Sequence, residues 1–173
     1  MEHIQLKGVS QAQLDQYGPC SAHSVNDESV VEVKAAMALL GYKTNDKPAP
    51  VLVCWNGPAM YSEEDHVVFL RSDANRGLAM HELTHAFSVK PMHIIKEDEI
   101  EGFVNPKLNL KSVVAYAKYL SAPAELEAHA IQFMYEPLGQ WVLSKTKNRY
   151  AIKAASMYWI CATLVQEKIL NRI

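Results

Sequence analysis

Between Arg76 and Val89 the chain reads as a helix whose apolar residues, Leu78, Ala79, Met80, Leu83, Ala86, Phe87 and Val89, lie all round its axis. Such a helix must be buried on most sides, so the rest of the fold has to close over it. Three ionisable side chains nevertheless stand inside it, in the sequence His81-Glu82-Leu83-Thr84-His85, an HExxH pattern. On a helix that spacing places His81 and His85 one turn apart on a single face, where two imidazoles can grip one zinc ion. Glu82 then sits beside the metal without being forced to ligate it. Burying the carboxylate unpaired would cost on the order of several kcal/mol, whereas a metal and its water satisfy all three side chains. In zinc peptidases the Glu of this pattern is the general base: it takes a proton from the metal-bound water and passes it to the leaving amine.

A catalytic zinc usually has three protein ligands and keeps one position for water. The third is expected on a downstream helix that Ser121 or Ala122 caps, that Pro123 opens and that Pro137 stops after Glu136. Glu125, Glu127 and His129 stand on it. Glu127 shares its face with Pro123, Ala124, Ala130, Ile131 and Met134, a small and apolar surface suited to packing against the metal helix. Glu125 shares its face with His129 and Gln132, which reads as solvent-facing. The metal set expected is therefore His81, His85 and Glu127, with His129 and then Glu125 as the alternatives for the third place.

HELTH followed about forty residues later by Glu125-Leu126-Glu127-Ala128, with Phe133 six positions beyond Glu127, resembles the short zincins of the ImmA/IrrE type. The segment Tyr119-Leu120-Ser121-Ala122-Pro123-Ala124-Glu125 is similar to small phage-encoded metallopeptidases with a YL-x-x-P-x-E-x-E-A pattern. The likeness covers roughly residues 65–136 and implies His81, His85 and Glu127 on zinc and Glu82 as base. The chain departs from the pattern at His129, where a small or polar residue is usual, and at Phe133-Met134, where an FA pair is usual. No helix-turn-helix segment is evident, so repressor cleavage does not carry across with the motif.

The remaining segments suit one small α+β domain, a minimal zincin-like arrangement in which a small mixed sheet packs against the HExxH helix and the ligand helix. At 173 residues and 49% hydrophobic, the chain is long enough for one real core. Residues 1–25 contain Gly18-Pro19 and read as an irregular arm. Asn26 to Leu40 is an amphipathic helix with Asn26 as cap and a stripe of Val30, Val33, Met37 and Leu40. Val51 to Trp55 and His66 to Leu70 read as strands. Val67 to Leu70 reads equally as the sheet edge that would hold an extended substrate by backbone pairing and as an ordinary core strand. Leu110 to Leu120 reads as a short helix, and Tyr150 onward as a core or interface helix too short in its apolar run to span a bilayer, with Trp159 as a possible dimer contact.

A net charge of −2 offers no electrostatic reason to expect nucleic acid, and Lys145, Lys147 and Arg149 read as a solvated basic turn. Cys20, Cys54 and Cys161 form neither a metal knuckle nor a disulfide framework, and Met1 to Lys7 lacks the apolar core of a signal peptide, so a cytoplasmic protein is expected. The acidic run Glu97, Asp98, Glu99 and Glu101 reads as a solvated face. His129, Tyr135, Tyr119 and Tyr61 are the candidate oxyanion donors. The function expected is zinc-dependent hydrolysis of a protein or peptide substrate. The competing reading is a catalytically silent, zinc-stabilised interaction protein on the same fold.

Overall fold

The computed structural model describes residues 6–18, 21–93 and 110–168. Seven helices and four strands appear in them: α1 (Gln11–Tyr17), β1 (Ser21–Ser24), α2 (Asp27–Leu39), β2 (Val51–Cys54), β3 (Met60–Ser62), β4 (Val67–Leu70), α3 (Arg76–Phe87), α4 (Leu110–Ser121), α5 (Pro123–Phe133), α6 (Pro137–Lys145) and α7 (Arg149–Lys168). The sheet is mixed, in the order β1-β2-β4-β3, with β2 and β4 parallel and both outer pairs antiparallel. The fold is α+β, as the sequence predicts.

The run Val67-Val68-Phe69-Leu70 is buried at every position because both faces of the sheet are covered. Val67 and Phe69 pack with Val9, Val53 and Trp55 on one face. Val68 and Leu70 join the main core on the other, with Val33 and Met37 of α2, Met80, Leu83 and Phe87 of α3, and Ile131 of α5. Alternation between two buried faces is what a fully covered strand requires.

Two expectations are corrected. Residues 1–25 are not irregular throughout: Ser10 and Gln13 form a reciprocal capping box that starts α1, and Ser21 to Ser24 pair antiparallel with β2. The sheet edge beside the metal helix is β3, not Val67 to Leu70, since β4 lies between β2 and β3. β3 was hidden in the sequence because it has only three residues and begins one residue after Asn56-Gly57-Pro58. The acidic run from Glu97 to Glu101 lies outside the described residues. No helix among the described residues is long and apolar enough to cross a membrane.

Candidate metal centre

The HExxH helix starts where Asn75, in extended backbone, accepts a hydrogen bond from the Leu78 amide at 2.8 Å. It ends at Ser88, whose amide donates to the Thr84 carbonyl. Asn45 fastens that end, donating from Nδ2 to the carbonyls of Ala86 and Ser88, each at 3.1 Å. Of its residues, His81, Glu82 and His85 are all buried, as the pattern of apolar residues round the axis requires.

Helix α5 lies against α3, brought close by small residues: Ala124 and Ala128 are fully buried, and a Cβ on Gly77 would stand 3.4 Å from Gln132. This contact delivers Glu125 to the histidines. His85 Nε2 is 3.2 Å from His81 Nε2 and 3.2 Å from Glu125 Oε1, and His81 Nε2 is 3.4 Å from Glu125 Oε2. Gln132 Oε1 accepts from His81 Nδ1–H at 3.0 Å, which leaves the Nε2 lone pair aimed at the same point.

The structure thus brings Glu125, and not Glu127, to the two histidines. Glu127 is buried on another side of α5, where it accepts a 2.5 Å hydrogen bond from the Ser88 hydroxyl. His129 is not part of the group of ligating atoms that converges there; its Nδ1–H donates to the Glu125 carbonyl at 2.8 Å and its ring meets His81 edge-on. The physical reason is that α5 has no solvent face along most of its length. Its apolar side packs into the core, and its polar stripe, Glu125, His129 and Gln132 at i, i+4 and i+7, is turned inward upon the histidines. A carboxylate, an imidazole and a carboxamide on one helical line opposite HExxH were the signal available in the sequence.

The three side chains suit a small divalent cation. One ligand atom from each of them lies within 4.8 Å of the others: the two imidazole Nε2 atoms are 3.2 Å apart, and a different carboxylate oxygen of Glu125 faces each ring, Oε1 at 3.2 Å from His85 and Oε2 at 3.4 Å from His81, where ligands of a tetrahedral ion bound at ~2.0–2.1 Å stand about 3.3 Å apart. Glu125 Oε2 is buried without a hydrogen-bond partner, a cost that a cation removes. Two imidazoles and a carboxylate form a donor set common to catalytic zinc and also acceptable to other first-row metals. His81, His85 and Glu125 are thus a buried group able to hold a metal ion.

Electrostatics around the group follow from burial and proximity. Burial raises the Glu82 carboxyl above its ordinary range, against the pull of His81 and His85. Burial also acts on Glu125, but the two histidines overcome it and hold that carboxyl well below the usual carboxylate range. For His81, burial is outweighed by the hydrogen bond to Glu125 and by the two nearby carboxylates, so its pKa is raised. His129 is pushed down to about 4 by burial and by His81, which keeps its ring neutral.

His81 and Glu82 open onto a cleft of about 370 Å³, walled by α4, α5 and α7 and by Ala59 at the start of β3. Of the four candidate oxyanion donors, Tyr61 is bonded to His66 Nδ1 at 2.8 Å and Tyr135 donates to Glu32 at 2.6 Å. Neutral His129, with its one N–H given to a carbonyl, has only a lone pair left to offer. Tyr119 lines the cleft and is hydrogen-bonded to Glu125; burial and that carboxylate raise its pKa. No protein-family model matches the chain, and no curated protein or solved structure matches it either.

Proposed function

We propose that the chain is a metal-dependent peptidase in which His81, His85 and Glu125 hold the cation and Glu82 is the general base. The observation that carries this reading is the convergence of three buried ligating side chains, His81, His85 and Glu125, beside a cleft lined by His81 and Glu82. When bound, a divalent cation, zinc by ligand type, acidifies water and polarises a carbonyl oxygen. Glu82 supplies the proton transfers. Its burial raises its carboxyl pKa, a shift in the direction that helps the side chain take a proton from the attacking water and return it to the departing amine. Gln132 fixes the His81 tautomer so that Nε2 stays a ligand atom. Among the described residues β3, which follows Ala59 of the cleft, is an edge strand of the sheet, and its outer backbone groups are the partners an extended peptide would use. No Ser or Cys nucleophile lines the cleft among the described residues.

The test combines metal analysis with hydrolysis of unfolded casein. Wild-type protein supplied with zinc is expected to hold about one ion per chain. Glu125→Ala should lose most of it, while Glu127→Ala should keep it, with stability lower by about 1–3 kcal/mol because the Ser88 hydroxyl loses its buried acceptor. Glu82→Gln should keep metal and fold yet lose hydrolysis by at least about 100-fold. Absence of stoichiometric metal in the wild type would sink the proposal. Full metal with equal casein turnover in wild type and Glu82→Gln would remove Glu82 from the mechanism.

A further inference from the structure

The walls of the cleft beside His81 and Glu82 specify what kind of side chain fits there, and this step rests on the peptidase reading above. Leu78, Tyr116, Leu120, Trp159 and Ile160 form its apolar surface. Leu120 and Ile160 are buried, whereas Leu78, Tyr116 and Trp159 are only partly covered. Partly covered apolar surface in a concave site gains most when an apolar ligand fills it. At about 370 Å³ the space is at the small end of the range that holds organic ligands, roughly 300–1,000 Å³. One bulky side chain with its adjoining backbone is the natural occupant.

Charge narrows the choice further. Among the described residues that line the cleft, Glu82 is the one carboxylate, and there is no Lys or Arg. An acidic side chain would meet Glu82 with no Lys or Arg in the cleft wall to pair with. A basic one would have to bury an ammonium or guanidinium against Trp159 and Ile160, and its only counter-charge would be the carboxylate reserved for proton transfer. Trp159 has a set position: it packs at 5.8 Å from Phe133 and 6.4 Å from His129, ring centre to ring centre, so it belongs to the cleft wall and not to an outward face of α7. We infer that the site selects peptides with a large uncharged side chain, aromatic or branched aliphatic, flanking the bond to be cleaved.

Four amino-acid hydroxamates test this on the zinc-loaded full chain: phenylalanine, leucine, alanine and aspartate hydroxamate. All share the metal-binding head and differ in the side chain offered to the cleft. Affinity is read by quenching of tryptophan fluorescence, and a parallel set of fluorogenic peptides varies the flanking residue in the same way. The phenylalanine and leucine compounds are expected to bind at least about 10-fold more tightly than the other two, with roughly a 100-fold preference in kcat/KM among the peptides. Trp159→Ala should erase most of that advantage at unchanged zinc content; Trp159→Phe should keep the advantage while losing most of the quench. If Trp159→Ala fails to fold, the wild-type series and Trp159→Phe decide the matter. Equal affinity for all four hydroxamates overturns the inference. Preferential binding without cleavage of any peptide supports the apolar cleft and overturns the peptidase reading; cleavage with no side-chain preference does the reverse.

Discussion

Gln132 shows how much of this site depends on a residue that would touch no metal. Its carboxamide oxygen is 3.0 Å from His81 Nδ1, and without it the His81 ring can rotate or present the wrong nitrogen. Gln132→Ala is expected to weaken zinc affinity about 10–100-fold with the fold intact, measured by competition with a chelating dye. Unchanged affinity would show that burial alone fixes the ring. At this scale the placing of His81 and His85 together on one face of a buried helix was legible in the sequence, because a fixed spacing on one helix needs no knowledge of the rest of the molecule. The choice between Glu125 and Glu127 was not. Those two side chains point about 200° apart round α5, and which of them meets α3 depends on how two helices distant in sequence are docked. Reading a polar stripe as solvent-facing is a sound rule for a surface helix, and it failed because α5 is enclosed.

Among the elements, the corner between α5 and α6 is the most tightly specified. A Cβ on Gly139 would lie 1.7 Å from the Phe133 carbonyl oxygen, closer than any rearrangement of side chains alone can relieve. Gly139→Ala is therefore expected to cost about 1–3 kcal/mol and to lower the melting temperature by several degrees in a calorimetric scan. An unaltered melting temperature would mean that the corner opens freely. The longer helices α2, α3, α5 and α7 were legible from caps, prolines and apolar periodicity. α1, β1, β3 and α6 were not. β1 is exposed at all four positions and β3 has only three residues, so neither carries an alternation to read. α6 was obscured by Pro137, which reads equally as the end of one helix and the first turn of the next.

Across the whole molecule, Asp65 ties the start of the described chain to the turn between β3 and β4. It accepts hydrogen bonds from the amides of Lys7 and Gly8, each at 2.7 Å, and from the Ser62 hydroxyl at 3.0 Å. The small burial of its carboxyl would raise its pKa, but these donors outweigh it and the pKa is lowered. A carboxyl depressed by folding stabilises the native state above its unfolded pKa, about 3.9, and that contribution disappears as the pH falls through the folded value. Asp65→Asn should accordingly melt below the wild type at pH 7, by roughly 2–4 °C. The gap should close progressively below about pH 4; a gap independent of pH would assign the loss to shape and not to charge. At this scale the α+β class and the packing of sheet, metal helix and ligand helix were foreseeable from the order of elements. The strand order was not, because nothing local to β3 or β4 says that the chain passes to the outer edge before returning to the centre.

That detour orders events in time. β3 and β4 are joined by only four residues, Glu63 to His66, and α3 follows β4 after five more, so this half of the site is assembled from neighbours. Glu125 arrives from about forty residues further along, and closing a loop of that length is the slower step in a chain searching for its contacts. The two histidines thus meet early on one helix, and the third ligand joins them only when α5 docks. In a refolding experiment with zinc present from the start, tight metal uptake should keep pace with the last resolved phase of folding rather than the first. Uptake complete in the earliest phase would mean that α5 docks before the rest of the fold is in place.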